Sequence, residues 1–374
     1  MNIFIIFEAN FEKTILEVIM KYLKKALFVI AMMALAVGNL NAQYVTTHAK
    51  IVLPGQQNGI YYALPRTVVR LDFIIEETEL LEGPYSEYVR MVGADDYVIG
   101  NDMEYRLVDI KMTTYAEADP NAMFFVTMNP KKGDVSEFAL TSKGILQGVN
   151  VKSHATVEEP KDIYLPEVVS TPDRTFKFQY GSNGTKGKEQ MARSAADMIS
   201  RMREEKVKLL TGFQETAFSL ETYRQMYADL DEMEKEYLSL FIGKRITKTT
   251  VKTIYVTPTK DVPTQTIGKF SESKGFTAGV SGEGSPITVQ AISLNTTGNI
   301  NEPSQSAVET LSHENKLFYR IPETANIRVN MDGEVLLERR TTITQLGVFM
   351  LAPLGKTKLA LDPNTGQITS FGME

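Results

Sequence analysis

The sequence predicts an α+β protein with mainly antiparallel β regions at both ends and a long antiparallel helical hairpin between them. Apolar residues alternate with polar ones before residue 180, two segments have helical periodicity, and strand-like runs return after Lys244. We therefore divide the chain into an N-terminal β-rich domain (43–180), a helical hairpin (188–243) and a C-terminal β-rich domain (244–374).

The first region opens with strand signals. Residues 69–75 and 107–112 alternate apolar with polar side chains, which is typical of strands with one buried face. Residues 122–128 form a short apolar run between two turn signals, Asp119-Pro120-Asn121 and Asn129-Pro130. These patterns predict three separate strands.

Two shorter elements complete the first region. Residues 84–92 begin with a proline and carry apolar residues at helical spacing, which predicts a short helix. Residues 138–140 and 145–149 flank Ser142-Lys143-Gly144, which predicts a β-hairpin.

The middle of the chain predicts two helices. The first runs from about Lys188 to Leu210, and Gly212 follows it as a stop signal. The second begins after Ser219, a good N-cap, and ends near Gly243. Its apolar residues alternate at spacings of three and four, as in a coiled-coil seam: Tyr223, Met226, Leu230, Met233, Tyr237 and Leu240.

The last region predicts strands again. The candidate strands are residues 251–256, 287–294, 316–321, 326–330, 335–338 and 342–351, and a hairpin of 359–362 with 367–371. Residues 257–309 are rich in Thr, Ser, Gly and Pro, which predicts long loops. We find no internal repeat, and the sequence leaves open whether the β regions form one domain or two.

A secretion signal lies inside the N-terminus. The basic run Met20-Lys21-Tyr22-Leu23-Lys24-Lys25 precedes an apolar stretch (26–37) and a small residue, Ala42. We interpret residues 1–19 as a non-native start and expect the mature chain to begin at Gln43. The apolar stretch is too short for a membrane-spanning helix, and no second long run predicts a transmembrane segment in the mature chain.

Composition excludes several classes of protein. The absence of cysteine excludes disulfides, a thiol nucleophile and the lipid anchor of a lipoprotein. A net charge of −6 argues against nucleic acid as a partner. The absence of tryptophan weakens the case for an aromatic sugar-binding platform, although tyrosine could replace it.

The sequence predicts no catalytic residue and no cofactor. It contains three histidines, His48, His154 and His313, which we interpret as surface or capping residues. His313-Glu314 begins like a zinc-protease helix, but Leu317 stands where the second histidine is required.

One acidic cluster is a weak candidate for a metal site. Asp95, Asp96, Asp102 and Glu104 lie close in sequence, and oxygen ligands suit calcium. Their spacing fits no calcium loop, and Gly100-Asn101-Asp102 is typical of a plain turn. A solvated acidic loop is the favoured interpretation.

The candidate partner surface lies on the helical hairpin. We expect its seam to pack the two helices together and its outer face, with Tyr227, Glu234 and Tyr237, to contact a partner. Residues 257–309 are a second candidate contact surface.

Four stretches carry a resemblance to a known family. They are Tyr62-Ala63-Leu64-Pro65-Arg66-Thr67, Gly83-Pro84-Tyr85-Ser86-Glu87-Tyr88, residues 230–243 and Leu317-Phe318-Tyr319-Arg320-Ile321-Pro322. The chain resembles the domain of unknown function 4831 family, exported proteins of Bacteroidetes, over nearly the whole mature chain. The resemblance implies a Gram-negative envelope setting and transfers no catalytic residue.

The sequence therefore favours an exported, non-enzymatic binding or structural adaptor protein, located in the periplasm or at the outer membrane. Another envelope protein is the expected partner, and a glycan is an open alternative. A hydrolase acting on glycan or peptide requires two carboxylates brought together by the fold, and a glycan-binding module requires exposed tyrosines.

Overall fold

The computed structural model describes residues 43–52, 58–129, 136–152, 157, 160–163, 173–177, 187–211 and 219–373. The predicted start and secretion signal (1–42), His154 and Gly212 lie outside the described residues.

The described strands form three sheets in which every pair of strands is antiparallel. The strands are β1 (Tyr44–His48), β2 (Gly59–Leu81), β3 (Asp102–Met128), β4 (Phe138–Leu140), β5 (Leu146–Val149), β6 (Lys244–Val256), β7 (Thr264–Ser271), β8 (Gly275–Ala278), β9 (Ser285–Ser293), β10 (His313–Glu314), β11 (Lys316–Met331), β12 (Glu334–Pro353), β13 (Thr357–Leu361) and β14 (Ile368–Met373). The first sheet has the order β10-β1-β3-β2-β6, the second β12-β11-β9-β7-β8 and the third β14-β13-β5-β4.

The helical hairpin is confirmed, and we call it the arm. It consists of α1 (Lys188–Thr211) and α2 (Leu220–Ile242), and a short α3 (Gln305–Thr310) lies further along the chain. The side chain of Ser219 caps α2 by accepting a hydrogen bond from the backbone N–H of Thr222. The predicted short helix is a 3₁₀ segment, Ser86–Val92, that packs against both helices of the arm.

The two longest antiparallel pairs, β2–β3 and β11–β12, have the same irregularity. In the first pair Leu64 stands opposite four residues, 119–122. In the second pair Pro322 stands opposite four residues, 344–347. Each insertion bends its pair, so that one half of the pair packs in one core and the other half in another.

These insertions overturn several predicted strand ends. The turn signal Asp119-Pro120-Asn121 lies inside β3, because the four-residue insertion absorbs its irregular backbone. Likewise the predicted strands 316–321 and 326–330 are one strand, β11, and 335–338 and 342–351 are one strand, β12.

Another irregularity shifts the faces of β3 at one point. Ile74 pairs with Asp109 and Ile75 with Leu107, so Val108 is an extra residue. Ile110 and Met112 are buried as the alternation predicts, but before the extra residue the faces exchange, so that Leu107 packs against the core while Val108 is exposed.

The two β regions of the chain share their cores. The first core combines Val69 and Phe73 of β2 with Ile327 and Val329 of β11, between the first and second sheets. The second core contains Tyr62, Phe124 and Phe318. Each of these two cores draws on both regions, so the strands of the two regions are interleaved in their packing.

The polar side of β2 is also buried. Arg70 and Asp72 were predicted to face solvent, but Arg70 pairs with Asp72 and donates hydrogen bonds to the carbonyls of Pro160 and Lys161. The chain near residue 160 therefore covers the outer face of the first sheet.

Candidate functional site

The arm contacts the body at its base. The backbone N–H of Tyr85 donates to the carbonyl of Leu240, and the N–H of Val98 donates to the carbonyl of Ile242. Among the described residues, the extensive contacts of α1 and α2 are with each other and with the 3₁₀ segment. The arm therefore extends from one end of the first sheet.

A single stripe of α1 packs against the rest of the arm. Its buried residues are Ala192, Ala195, Ile199, Met202, Lys206 and Leu209, at alternating spacings of three and four. Met191 and Met198 lie beside this stripe and are half-buried against the same cluster. The stripe contains a lysine that sequence reasoning missed.

Lys206 is the charged residue in this apolar stripe. Its ammonium lies 2.7 Å from a carboxylate oxygen of Asp231 and 2.8 Å from one of Glu234, both on α2. Burial lowers the pKa of Lys206, but these hydrogen bonds outweigh it and raise the pKa above its ordinary value. The hydrogen bond from Lys206 also lowers the pKa of Asp231 to about 2.

The predicted outer face of the arm is wrong for two of its three residues. Tyr237 is 5% exposed and packs in the base of the arm. Glu234 faces α1, where Arg203 and Lys206 pair with it. Tyr227 is 38% exposed, and its ring lies 5.5 Å from the ammonium of Lys206. Tyr237 is itself a seam residue of α2 and Glu234 lies next to the seam, so both side chains face the packed side of the arm.

The most exposed apolar side chains of the arm lie at its distal end, whereas Met233, which the sequence placed in the seam of α2, is 38% exposed. Leu210 is 72% exposed and Leu220 is 69% exposed, and Val207 is exposed beside them. The signal for them was available in the sequence, because all three are apolar residues that lie off the packed stripe.

The weak metal candidate does not assemble. Asp96 pairs with Arg245 at 2.7 Å, and Asp95, Asp102 and Glu104 are exposed. In the part of the chain that the structure describes, no three His, Asp or Glu side chains form a group that could hold a metal ion.

A second candidate site is a cleft in the body, which we call the central cleft. A cavity of about 650 Å³ and a neighbouring one of about 400 Å³ share Thr259, Lys260 and Glu302. Both reach the four-residue insertion of β12. The predicted contact segment 257–309 supplies much of the lining of the cleft, together with residues of β3, β11 and β12, and that segment also contains β7, β8, β9 and α3.

Glu323 fixes one wall of the central cleft. Its side chain is buried and accepts hydrogen bonds from the backbone N–H and the hydroxyl of both Thr296 and Thr297. Burial alone would raise its pKa, but these hydrogen bonds lower the pKa to about 2. Glu323 is therefore an anion that holds the loop after β9.

Arg320 and Asp119 lie at the base of the smaller cavity. The buried guanidinium of Arg320 lies 2.8 Å from Asp119, and it donates to the carbonyl of Pro65 at 2.7 Å. It also lies 4.7 Å from the ring centroid of Phe349. Burial lowers the pKa of Arg320 below its ordinary value.

Four of the five carboxylates that line the central cleft have partners of their own, and the fifth, Asp261, is exposed. Glu302 pairs with Lys260 at 3.6 Å and Glu309 with Lys50 at 3.8 Å, while Asp119 and Glu323 are held as described above. A glycosidase needs a general acid whose pKa is raised. The lowered pKa of Glu323 is the opposite of that requirement.

The two described histidines have structural roles. His48 is buried, and its ring contacts the carbonyl of Asn121 and the backbone N–H of Lys50, so it caps the 3₁₀ turn Ala49–Ile51. The capping role was predicted for it, but a surface position was not correct. His313 packs edge-on against Phe318, and burial lowers its pKa.

In the described residues, we find no helix with the length and apolar character needed to cross a membrane.

Comparison with known proteins gives one match. The model of a family described as a domain of unknown function, DUF4831, matches residues 58–369, which include both β regions, the arm and the central cleft. No curated protein and no solved structure matches the chain. The chain therefore belongs to the DUF4831 family.

Proposed function

We propose that this protein is an exported, non-enzymatic adaptor of the cell envelope that binds another envelope protein through the distal end of its arm. The observation that carries the proposal is the exposure of Val207, Leu210 and Leu220 on a two-helix arm that contacts the body at its base. Two helices alone leave apolar surface that a third helix or a groove can cover.

The export step rests on the sequence. The basic run from Met20, the short apolar stretch and Ala42 form a cleavable signal, and the absence of cysteine leaves no site for a lipid anchor. Mass spectrometry of the protein from the envelope fraction should give a chain that begins at Gln43. A chain that retains residues 20–42 would contradict cleavage.

The proposed contact is tested by photo-crosslinking in the cell. A photoreactive amino acid replaces Leu210, and a matched probe replaces Val280, an apolar residue that is 71% exposed on the body. We expect one envelope protein to crosslink from position 210 and not from position 280.

The same partner should depend on the neighbouring side chain. Leu220→Glu places a charge in the proposed interface and should abolish the crosslink from position 210, whereas Val280→Glu should leave it unchanged. Both side chains are exposed, so neither substitution should alter folding by more than about 0.5 kcal/mol. A crosslink that persists in Leu220→Glu, or the absence of any crosslink from position 210, would contradict the proposal.

A further inference from the structure

We propose that the central cleft binds a short, uncharged saccharide, independently of the arm. The cleft combines neutral hydrogen-bonding side chains, compensated charges and a fixed wall. Each of its two cavities, of about 650 Å³ and about 400 Å³, lies within the range of about 300–1,000 Å³ that is usual for small-molecule sites.

The lining favours hydroxyl groups as ligands. Five neutral side chains of the larger cavity each carry both hydrogen-bond donors and acceptors: Thr259, Thr264, Gln290, Ser293 and Asn295. Sugar hydroxyls also donate and accept, so they match such groups without a net charge on either side.

The charges of the larger cavity argue against an ionic ligand. Its charged lining residues are Lys260, Glu302 and Glu323. Lys260 and Glu302 pair with each other, and Glu323 is occupied by the loop after β9. A charged ligand at Glu323 would have to break its hydrogen bonds to this loop, and that costs free energy, whereas the exposed Lys260–Glu302 pair opposes such a ligand only weakly.

The backbone at the wall argues against an added peptide strand. The N–H of Ala291 donates to the carbonyl of Pro263, and the N–H of Leu294 donates to the carbonyl of Thr324. These amides are therefore not available as an edge for strand addition, so the side chains of the wall are the hydrogen-bonding groups that it offers.

The smaller cavity adds an aromatic surface. Phe349 lines it and is half-buried, and Arg320 packs over its ring. The guanidinium fixes the orientation of the ring, and a fixed ring offers an apolar surface to the C–H face of a sugar.

Affinity electrophoresis of the protein in gels containing a soluble glucan, xylan, mannan or galactan tests this proposal. We expect at least one neutral polysaccharide to retard the protein, and acidic polygalacturonate and an unfolded peptide not to do so. Gln290→Ala and Asn295→Ala should each weaken the retardation about tenfold, the loss of one to two hydrogen bonds.

The matched control is Gln265→Ala, an exposed glutamine on β7 that does not line the cleft. It should bind as the wild type does, and all variants should keep the crosslink from position 210 of the arm. No retardation by any neutral polysaccharide, a preference for polygalacturonate or peptide, or equal binding by Gln290→Ala and Gln265→Ala would overturn the proposal.

Discussion

Glu323 shows how one buried acid can define a site without performing chemistry there. It follows Pro322 in β11, the residue that stands opposite four residues of β12. The strand geometry therefore directs this carboxylate toward Thr296 and Thr297, and the hydrogen bonds favour its ionised form. A residue in this role stabilises the wall of the cleft that ligands would contact.

The first prediction concerns the pH dependence of this stabilisation. The pKa of Glu323 is lowered in the folded protein, so the unfolded chain binds the proton more tightly. The stabilisation is full above about pH 5 and is lost as the pH falls toward about 2. A lowering from 4.5 to about 2 corresponds to about 3 kcal/mol at neutral pH.

Urea unfolding of wild type and Glu323→Gln checks this prediction. A glutamine amide has one acceptor oxygen where the carboxylate has two, so it cannot accept all the hydrogen bonds from Thr296 and Thr297. The Glu323→Gln protein should therefore unfold at a lower urea concentration at pH 7. The gap between the two proteins should close on acidification. The control is Glu334→Gln, at the exposed turn between β11 and β12. A difference in urea midpoint between wild type and Glu323→Gln that stays constant down to pH 3 would contradict the proposed role of the Glu323 carboxylate.

Arg320 and Asp119 connect the two halves of the chain. Asp119 lies in the insertion of β3, and Arg320 lies on β11 just before Pro322. The insertion of β12 makes the reciprocal contact, because Gln345 accepts from the backbone N–H of Thr67 on β2 and donates to its carbonyl. Each insertion thus directs a polar side chain into the opposite pair of strands.

At the scale of elements, Lys206 determines how the two helices of the arm align. A lone lysine at a seam position costs stability unless the facing helix supplies acids, and here Asp231 and Glu234 do so. A shift of one helix by a turn would separate these charges. The cluster therefore favours one register of the hairpin.

The second prediction follows from this cluster. Lys206→Ala should lower the stability of the arm by about 2 kcal/mol, since it removes two charge-assisted hydrogen bonds from a largely buried site. Lys208→Ala, two residues away on the same helix, removes an exposed lysine that pairs with Glu205 and should change stability by less than about 0.5 kcal/mol. Hydrogen exchange of the amides in α1 measures both changes, and equal effects would contradict the role of Lys206.

The sequence predicted elements well where a local rule decides them. Ser219, Gly243 and the strict seam determine α2, and Gly366, which has φ of +72°, allows the tight turn between β13 and β14. The predicted strand ends were wrong in β3, β11 and β12. Turn residues such as Pro120 and Pro322 are tolerated inside these strands, because an insertion removes the backbone pairing at that point. Such tolerance depends on a partner strand far away in sequence.

The two candidate sites also differ in how far the sequence alone could predict them. The exposed residues of the arm could be found from helical periodicity, as the residues off the stripe. The central cleft could not, because Thr259, Gln290 and Glu323 come together only through the pairing of β7, β9 and β11. Only its general location within residues 257–309 was predicted.

At the scale of the whole molecule, the body and the arm are organised differently. The bent pairs β2–β3 and β11–β12 pass through both large cores, so neither core can lose its strands without disturbing the other. The packed residues of the arm form a third cluster that includes none of these strands. We therefore expect the body to unfold as one cooperative unit and the arm to open separately.

Alanine substitutions in each cluster test this expectation. Ile327→Ala in the first core and Phe318→Ala in the second should each cost about 2–5 kcal/mol. Either substitution should speed hydrogen exchange in β2 on both sides of Leu64, because the same strand serves both cores. Ile199→Ala in the arm should speed exchange in α1 and α2 and leave β2 unchanged. If Ile327→Ala affects only the half of β2 in the first core, the two cores are separable units, and the insertions are hinges between the cores rather than the links that join them.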